Sequence, residues 1–152
     1  MLINPKNVPE TTGTNYPEPF KAIVAGRTRK RLGEAAQLKN FGVNLVKLAP
    51  GSASSVRHWH SQQDELIYLL EGEVTLVSDD GEQLLKPGDA AGFPAAEANG
   101  HHLINRSDAI AVYLEIGDRS LGDQVYYPDA DLVAQKESQG WAFTHKDGRR
   151  YE

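Results

Sequence analysis

The stretch Arg57-His58-Trp59-His60-Ser61-Gln62-Gln63-Asp64-Glu65 decides how the rest of the chain is read. His58 and His60 lie two residues apart, and in a β-strand that spacing puts both imidazoles on one face. Glu65 follows five residues after His60 and opens the apolar run Leu66-Ile67-Tyr68-Leu69-Leu70. A second histidine pair, His101-His102, comes about forty residues later. Neutral imidazole nitrogens with a carboxylate oxygen suit zinc, iron, manganese or nickel. The expectation is one divalent metal ion, held where these segments meet inside a β-barrel.

The rest of the composition agrees with a folded domain. A chain of 152 residues fits one domain. With 39% hydrophobic and 24% charged residues it has enough apolar content for a core and is not of disordered type. The net charge of −5 argues against a nucleic-acid partner. Arg27-Thr28-Arg29-Lys30-Arg31 is the one basic cluster, read as a solvated loop or strand edge in preference to an anion or partner site. Cysteine is absent, so disulfides and thiolate ligands are excluded and any metal must be held by nitrogen and oxygen. Neither a signal-peptide-like run at Met1–Lys6 nor any bilayer-length apolar segment is present, so a cytoplasmic chain with no membrane partner is expected.

Taken in order, residues 1–19 carry Pro5, Pro9, Pro17 and Pro19, which favours an extended arm. Phe20–Ala25 reads as a short strand and Leu32–Leu38 as a turn of helix at most. Phe41–Leu48 alternates as a strand, and Pro50-Gly51 turns the chain. Short β-prone runs then recur at Ser55–His60, Glu65–Leu70, Val74–Ser78, Gln83–Leu85, Ala90–Phe93, His101–Asn105 and Ala109–Ile116. Asp80-Gly81 and Pro87-Gly88 stand between them, the pattern of a sandwich or barrel. Asp129–Gln135 reads as a short helix. Trp141 and Phe143, two apart, read as core or dimer contacts on a terminal strand. The expected division is an arm and first strand over 1–40, a barrel over 41–117 and a covering segment over 118–152. Exposed sheet edges tend to be covered, so a homodimer is expected.

These segments resemble the two motifs of the cupin superfamily. Gly51, His58, His60, Glu65 and Gly72 match the first, and Gly88, Pro94, His101 and Asn105 match the second. The Gly51–His58 spacer and the Pro94–His101 loop are longer than the usual pattern, and loops accept such insertions. The resemblance implies an all-β, double-stranded β-helix (a jelly-roll barrel), with His58, His60, Glu65 and His101 as metal ligands. Strand parity offers an independent choice between His101 and His102: if Leu103 and Asn105 point inward, so does His101. Asp64, one residue before Glu65, is expected in solvent. Gly100–Asn105, Tyr127-Pro128-Asp129 and Lys146-Asp147-Gly148 are similar to segments of small bacterial cupins loosely described as sugar-phosphate isomerase-like or regulator-associated.

Val43 or Leu45, Val56, Ile67, Leu69, Phe93, Leu103 and Tyr113 are expected to line an apolar, modest-sized pocket. Arg57, Gln63, Tyr68 and Tyr113 are the candidate substrate-binding residues. A small-molecule partner fits such a pocket. Three functions follow: a metal-dependent enzyme of isomerase/lyase or oxygenase type on a small oxygenated substrate, a metal-assisted binding or sensory module, and a barrel without chemistry.

Overall fold

The computed structural model describes residues 1–152 and is built almost wholly of antiparallel strands. One sheet has six strands in the order β1 (Glu10–Thr11), β2 (Arg27–Arg31), β3 (Phe41–Leu48), β10 (Ala111–Asp118), β5 (Glu65–Glu71) and β8 (Ala90–Phe93). A second has four, β13 (Gly140–Thr144), β12 (Val133–Glu137), β11 (Gln124–Tyr126) and β4 (Trp59–His60). A third has three, β7 (Gly81–Leu85), β6 (Val74–Ser78) and β9 (His102–Ile104). The architecture is a jelly-roll barrel, as the cupin resemblance implied. No helix is long and apolar enough to cross a membrane.

Period-two alternation explains where the core lies. On β5, Ile67 and Leu69 are buried while Leu66, Tyr68 and Leu70 are exposed. On β10, Ala111 and Tyr113 join them, and the closed end fills with Val46, Leu48, Leu69, Val74, Leu76, Leu85 and Leu103. Truncating such a side chain to alanine typically costs about 2–5 kcal/mol. A second cluster, with Tyr16, Val24, Val56, Val125, Tyr127, Leu132 and Ala134 at its centre, fastens the arm and the four-stranded sheet together.

Four expectations need correction. Phe20–Val24 is a 3-10 helix, not a strand, and it buries Val24. Residues 129–135 hold no helix, since β12 begins at Val133 and pairs with both β11 and β13. On β3 the inward residues are Val46 and Leu48, which are fully buried, with Asn44 on the same face; Val43 and Leu45 therefore face the other way. The run Phe41–Leu48 has apolar residues on both faces, so alternation alone does not choose between them. The basic cluster is not a solvated edge: it is β2, hydrogen-bonded on both sides, with Arg27 buried.

Gly72 is the turn that lets β5 pass into β6. Its φ is +75°, and a Cβ there would lie 2.7 Å from the Ile110 carbonyl oxygen, so only glycine fits without backbone movement.

Candidate metal centre

Three separate segments bring the histidines together. His58 and His101 face each other across an isolated antiparallel bridge, joined by backbone hydrogen bonds of 3.1 and 2.9 Å. His60 follows on β4, where it pairs with Val125 of β11. Glu65 begins β5, flanked by Gly117 of β10 and Phe93 of β8. Alternation places His58 and His60 on one face and Arg57 and Trp59 on the other.

The three Nε2 atoms converge on one oxygen. Glu65 Oε1 lies 2.9 Å from His101, 3.2 Å from His60 and 3.3 Å from His58. The ligand atoms of His58, His60 and Glu65 all lie within 4.8 Å of one another. Each Nδ1 instead faces an oxygen acceptor: the Val56 carbonyl for His58 at 2.8 Å, Asp123 Oδ2 for His60 at 2.5 Å, and the Asn99 carbonyl for His101 at 3.1 Å. A carbonyl or carboxylate oxygen only accepts, so each Nδ1 carries a proton, and each Nε2 is the nitrogen that would offer its lone pair to an ion placed beside Glu65. Phe93 stacks on the His101 ring at 3.6 Å and fixes its plane. This donor set, three nitrogens and a carboxylate with tautomers already chosen, fits a divalent metal ion.

His102 takes no part in this convergence. Its Nδ1 lies 2.9 Å from the Ser55 carbonyl, and its neighbours Leu103 and Asn105, with His101, are the buried positions of the segment. Asp64 is exposed, and its carboxylate accepts from the Ala95 N–H.

Electrostatics in the cluster follow from crowding. Burial alone would push the His60 imidazolium down, but its bonds to Asp123 and Glu65 more than offset this and raise it to about 9. Burial likewise raises the Glu65 carboxyl, and the surrounding histidines outweigh it, holding Glu65 well below the usual carboxylate range. Asp123 is fully buried. Burial raises its carboxyl, yet His60 and the Gln62 and Gln63 N–H groups lower it on balance.

A cavity of about 580 Å³ opens above the cluster. Only 11 of its 34 lining residues are hydrophobic, so it is a polar cavity and not the apolar one expected from sequence. Polar inward positions of β2, β3 and β10, namely Arg29, Asn44 and Glu115, account for much of the difference. Glu115 accepts from the Asn44 amide at 3.0 Å and pairs with Arg29 at 3.4 Å. Burial pushes the Glu115 carboxyl up, but Arg29 and Asn44 outweigh it and keep the group ionised. The arm residues Thr12–Tyr16 and the aromatic pair Trp141 and Phe143 also border the cavity.

The four candidate substrate-binding residues divide evenly. Gln63 is buried, borders the cavity and donates to the Ser120 carbonyl at 3.1 Å. Tyr113 is buried and borders it as well. Arg57 does not border it: its guanidinium donates to Asp129 (2.7 and 3.0 Å), Asp79 (2.5 Å) and the Gly100 carbonyl (2.9 Å), tying three loops together. Tyr68 is 41% exposed on the outer face of β5. The parity that turns His58, His60 and Glu65 inward turns Arg57 and Tyr68 outward. Sequence reasoning missed Asp123, Arg29, Asn44 and Glu115. Asp123 lies in a polar loop outside both motifs and carried no signal, whereas β2 carried one in its alternating arginines.

Comparison with known proteins agrees with this fold. The cupin-domain family pattern matches residues 44–117. A crystal structure from Silicibacter pomeroyi DSS-3, described as a sugar phosphate isomerase from a cupin superfamily, is 42% identical, with a TM-score of 0.96 over 100% of this chain and 97% of that one. A protein from Acidithiobacillus ferrooxidans ATCC 23270, provisionally described as a sugar phosphate isomerase, is 31% identical, with a TM-score of 0.75 over 82% of this chain and 79% of that one. The polyketide cyclase RemF from Streptomyces resistomycificus is 18% identical, with a TM-score of 0.64 over 78% of each chain, a likeness of fold alone. No curated protein matches the chain.

Proposed function

The chain belongs to the cupin superfamily, and from that premise we propose that it is a metal-dependent enzyme acting on a small oxygenated substrate, with isomerase-type chemistry. The observation that carries this reading is the convergence of three Nε2 atoms on Glu65 Oε1 at the base of a polar cavity. His58, His60, Glu65 and His101 would hold the ion. A divalent ion bound there supplies a Lewis acid that polarises a carbonyl oxygen.

The chain's own residues supply binding and orientation. Asp123 keeps the His60 proton on Nδ1. Ionised Glu115 offers an acceptor to substrate hydroxyls. Burial raises the Tyr113 phenol above its ordinary value, so it stays protonated and can donate. Donor and acceptor side by side on one wall suit a polyhydroxylated carbonyl compound. The similarity to proteins described as sugar phosphate isomerases supports the same class.

The test is elemental analysis of untagged protein, followed by assay of the metal-loaded protein for aldose–ketose interconversion of small sugar phosphates. Stoichiometric zinc, iron, manganese or nickel with turnover that disappears in His60→Ala is the expected result. Saturable binding without turnover would instead make the chain a binding module.

A further inference from the structure

The alternation of β2 divides its five residues between two environments. Arg27, Arg29 and Arg31 border the cavity above the histidine cluster, while Thr28 and Lys30 turn to the arm, bonding Glu10 and the Pro5 carbonyl. Arg119 and Lys136 border the same cavity. Carboxylates are fewer at this rim. Arg31 and Arg119 share Glu34 at 3.7 and 3.6 Å, too far for hydrogen bonds. Lys136 lies 5.4 Å over the Trp141 ring, with no carboxylate paired to it. The remaining rim carboxylate, Asp118, is occupied by the Asp64 N–H at 2.5 Å and the Ser120 hydroxyl. Three cations therefore face one carboxylate that is free to answer them.

Two buried side-chain atoms lack a hydrogen-bond partner, Tyr113 Oη and Arg29 Nε, the latter touching Glu115 only as an ion pair at 3.4 Å, and both residues border this cavity. Folded proteins leave few such atoms unpaired, so a pair of them in one cavity points to a polar ligand.

The spacing of cations from the histidine cluster follows from the sheet. Glu65, Gly117 and Gly42 are successive cross-strand neighbours on β5, β10 and β3. Adjacent strands are about 4.8 Å apart, so two steps span roughly 10 Å. The Arg119 guanidinium lies over Gly42, where a Cβ would sit 3.6 Å from its Nε. Glycine at positions 42 and 117 leaves the floor between Arg119 and Glu65 clear of side chains.

We infer that Arg31 and Arg119, backed by Arg29, form an anion subsite for the phosphate of a phosphorylated small sugar whose carbonyl end reaches the histidine cluster. The guanidinium fork matches phosphate oxygens in pairs. The span fits an extended chain of roughly five carbons counted from the carbonyl carbon to the one bearing the phosphate, at about 1.5 Å per covalent bond. The assignment rests on the enzyme reading above and adds to it the residues that would hold the phosphate.

Calorimetric titration of the full-length, zinc-loaded protein tests it. The probes are inorganic phosphate, malonate, and a five-carbon aldose with and without its 5-phosphate. Phosphate and the aldose phosphate should compete for one site, and removing the phosphate should weaken the aldose about tenfold or more. The double variant Arg31→Ala/Arg119→Ala should lose about tenfold or more in phosphate affinity, with zinc affinity changed less than about twofold. Both side chains are about half exposed, so the variant should fold. Equal phosphate binding by the variant and the wild type overturns the subsite, as does a preference for malonate. A parallel phosphate titration of His60→Ala separates the two claims. Phosphate affinity kept there shows that the anion is not held by the metal; wild-type phosphate binding without turnover of the aldose phosphate upholds the subsite while the enzyme reading fails, and turnover of the unphosphorylated aldose alone does the reverse.

Discussion

Replacing Asp123 separates its two jobs. One oxygen, Oδ1, accepts from the Gln62 N–H at 2.8 Å and the Gln63 N–H at 3.2 Å; the other, Oδ2, accepts from His60 Nδ1 at 2.5 Å. Asp123→Asn can keep its carbonyl on the two backbone donors, but it then presents an NH₂ group to His60. Two donors cannot share that contact, so His60 must move its proton to Nε2, the atom that faces Glu65. The lone pair is lost from the cluster while the fold is retained. Loss of such an orienting partner typically weakens metal binding about 10- to 100-fold, or roughly 1.4–2.7 kcal/mol. Asp123→Ala goes further, because it strands two backbone N–H groups at about 1–3 kcal/mol each. We therefore expect Asp123→Ala to lower unfolding stability by about 2–5 kcal/mol and Asp123→Asn by about 1 kcal/mol. Competition titration against a chromophoric chelator reads the affinity, and urea unfolding of the metal-free proteins reads the stability. An Asp123→Asn protein that binds zinc as tightly as the wild type would refute the tautomer argument.

Three further outcomes are expected. Arg57→Ala should destabilise the protein by about 1–3 kcal/mol in urea unfolding, since it removes charge-assisted bonds to three loops. Hydrogen bonding to Arg57 lowers the Asp129 carboxyl below its unfolded value, so the Asp129 part of this stabilisation is present above about pH 4 and lost as pH falls through the depressed value; the wild-type advantage over Arg57→Ala should shrink in acid. Chelation of the metal-loaded protein should lower its apparent stability by about 2.7 kcal/mol if the free ion had stood at about 100 times its dissociation constant, measured as a concentration-dependent fall in Tm. Gly72→Ala should cost about 1–3 kcal/mol, because the new Cβ meets backbone at 2.7 Å with φ at +75°, and an unchanged urea midpoint would contradict that steric account.

Much of the barrel was legible because its strands alternate. Val74–Ser78 and Ala90–Phe93 coincide with β6 and β8, and Phe41–Leu48 with β3. Parity also puts His101, and not His102, opposite Glu65. The same rule, applied evenly, would have removed Arg57 and Tyr68 from the pocket. Elsewhere the local pattern was outvoted by tertiary context. Phe20–Val24 looks like a strand but curls into a 3-10 helix to seat Val24 in the second core. Residues 129–135 lack a clean period of either kind, and pairing with β11 and β13 decides for a strand. The polar character of the cavity was hidden because it depends on β2 and β3 lying side by side, and no local motif records that pairing.

The hydrogen bond from His60 to Asp123 joins residues 63 positions apart. All four residues that converge at Glu65 lie within the 44–117 span matched by the family pattern, but Asp123 lies beyond it. An excised minimal barrel ending at residue 117 would thus contain every converging donor and still leave the His60 ring without its anchor, and Gln62 and Gln63 without their shared acceptor. During synthesis on the ribosome the same holds: a nascent chain that has just completed the motif still lacks the carboxylate that orients His60. The anchor of the His60 ring thus comes from the last quarter of the polypeptide.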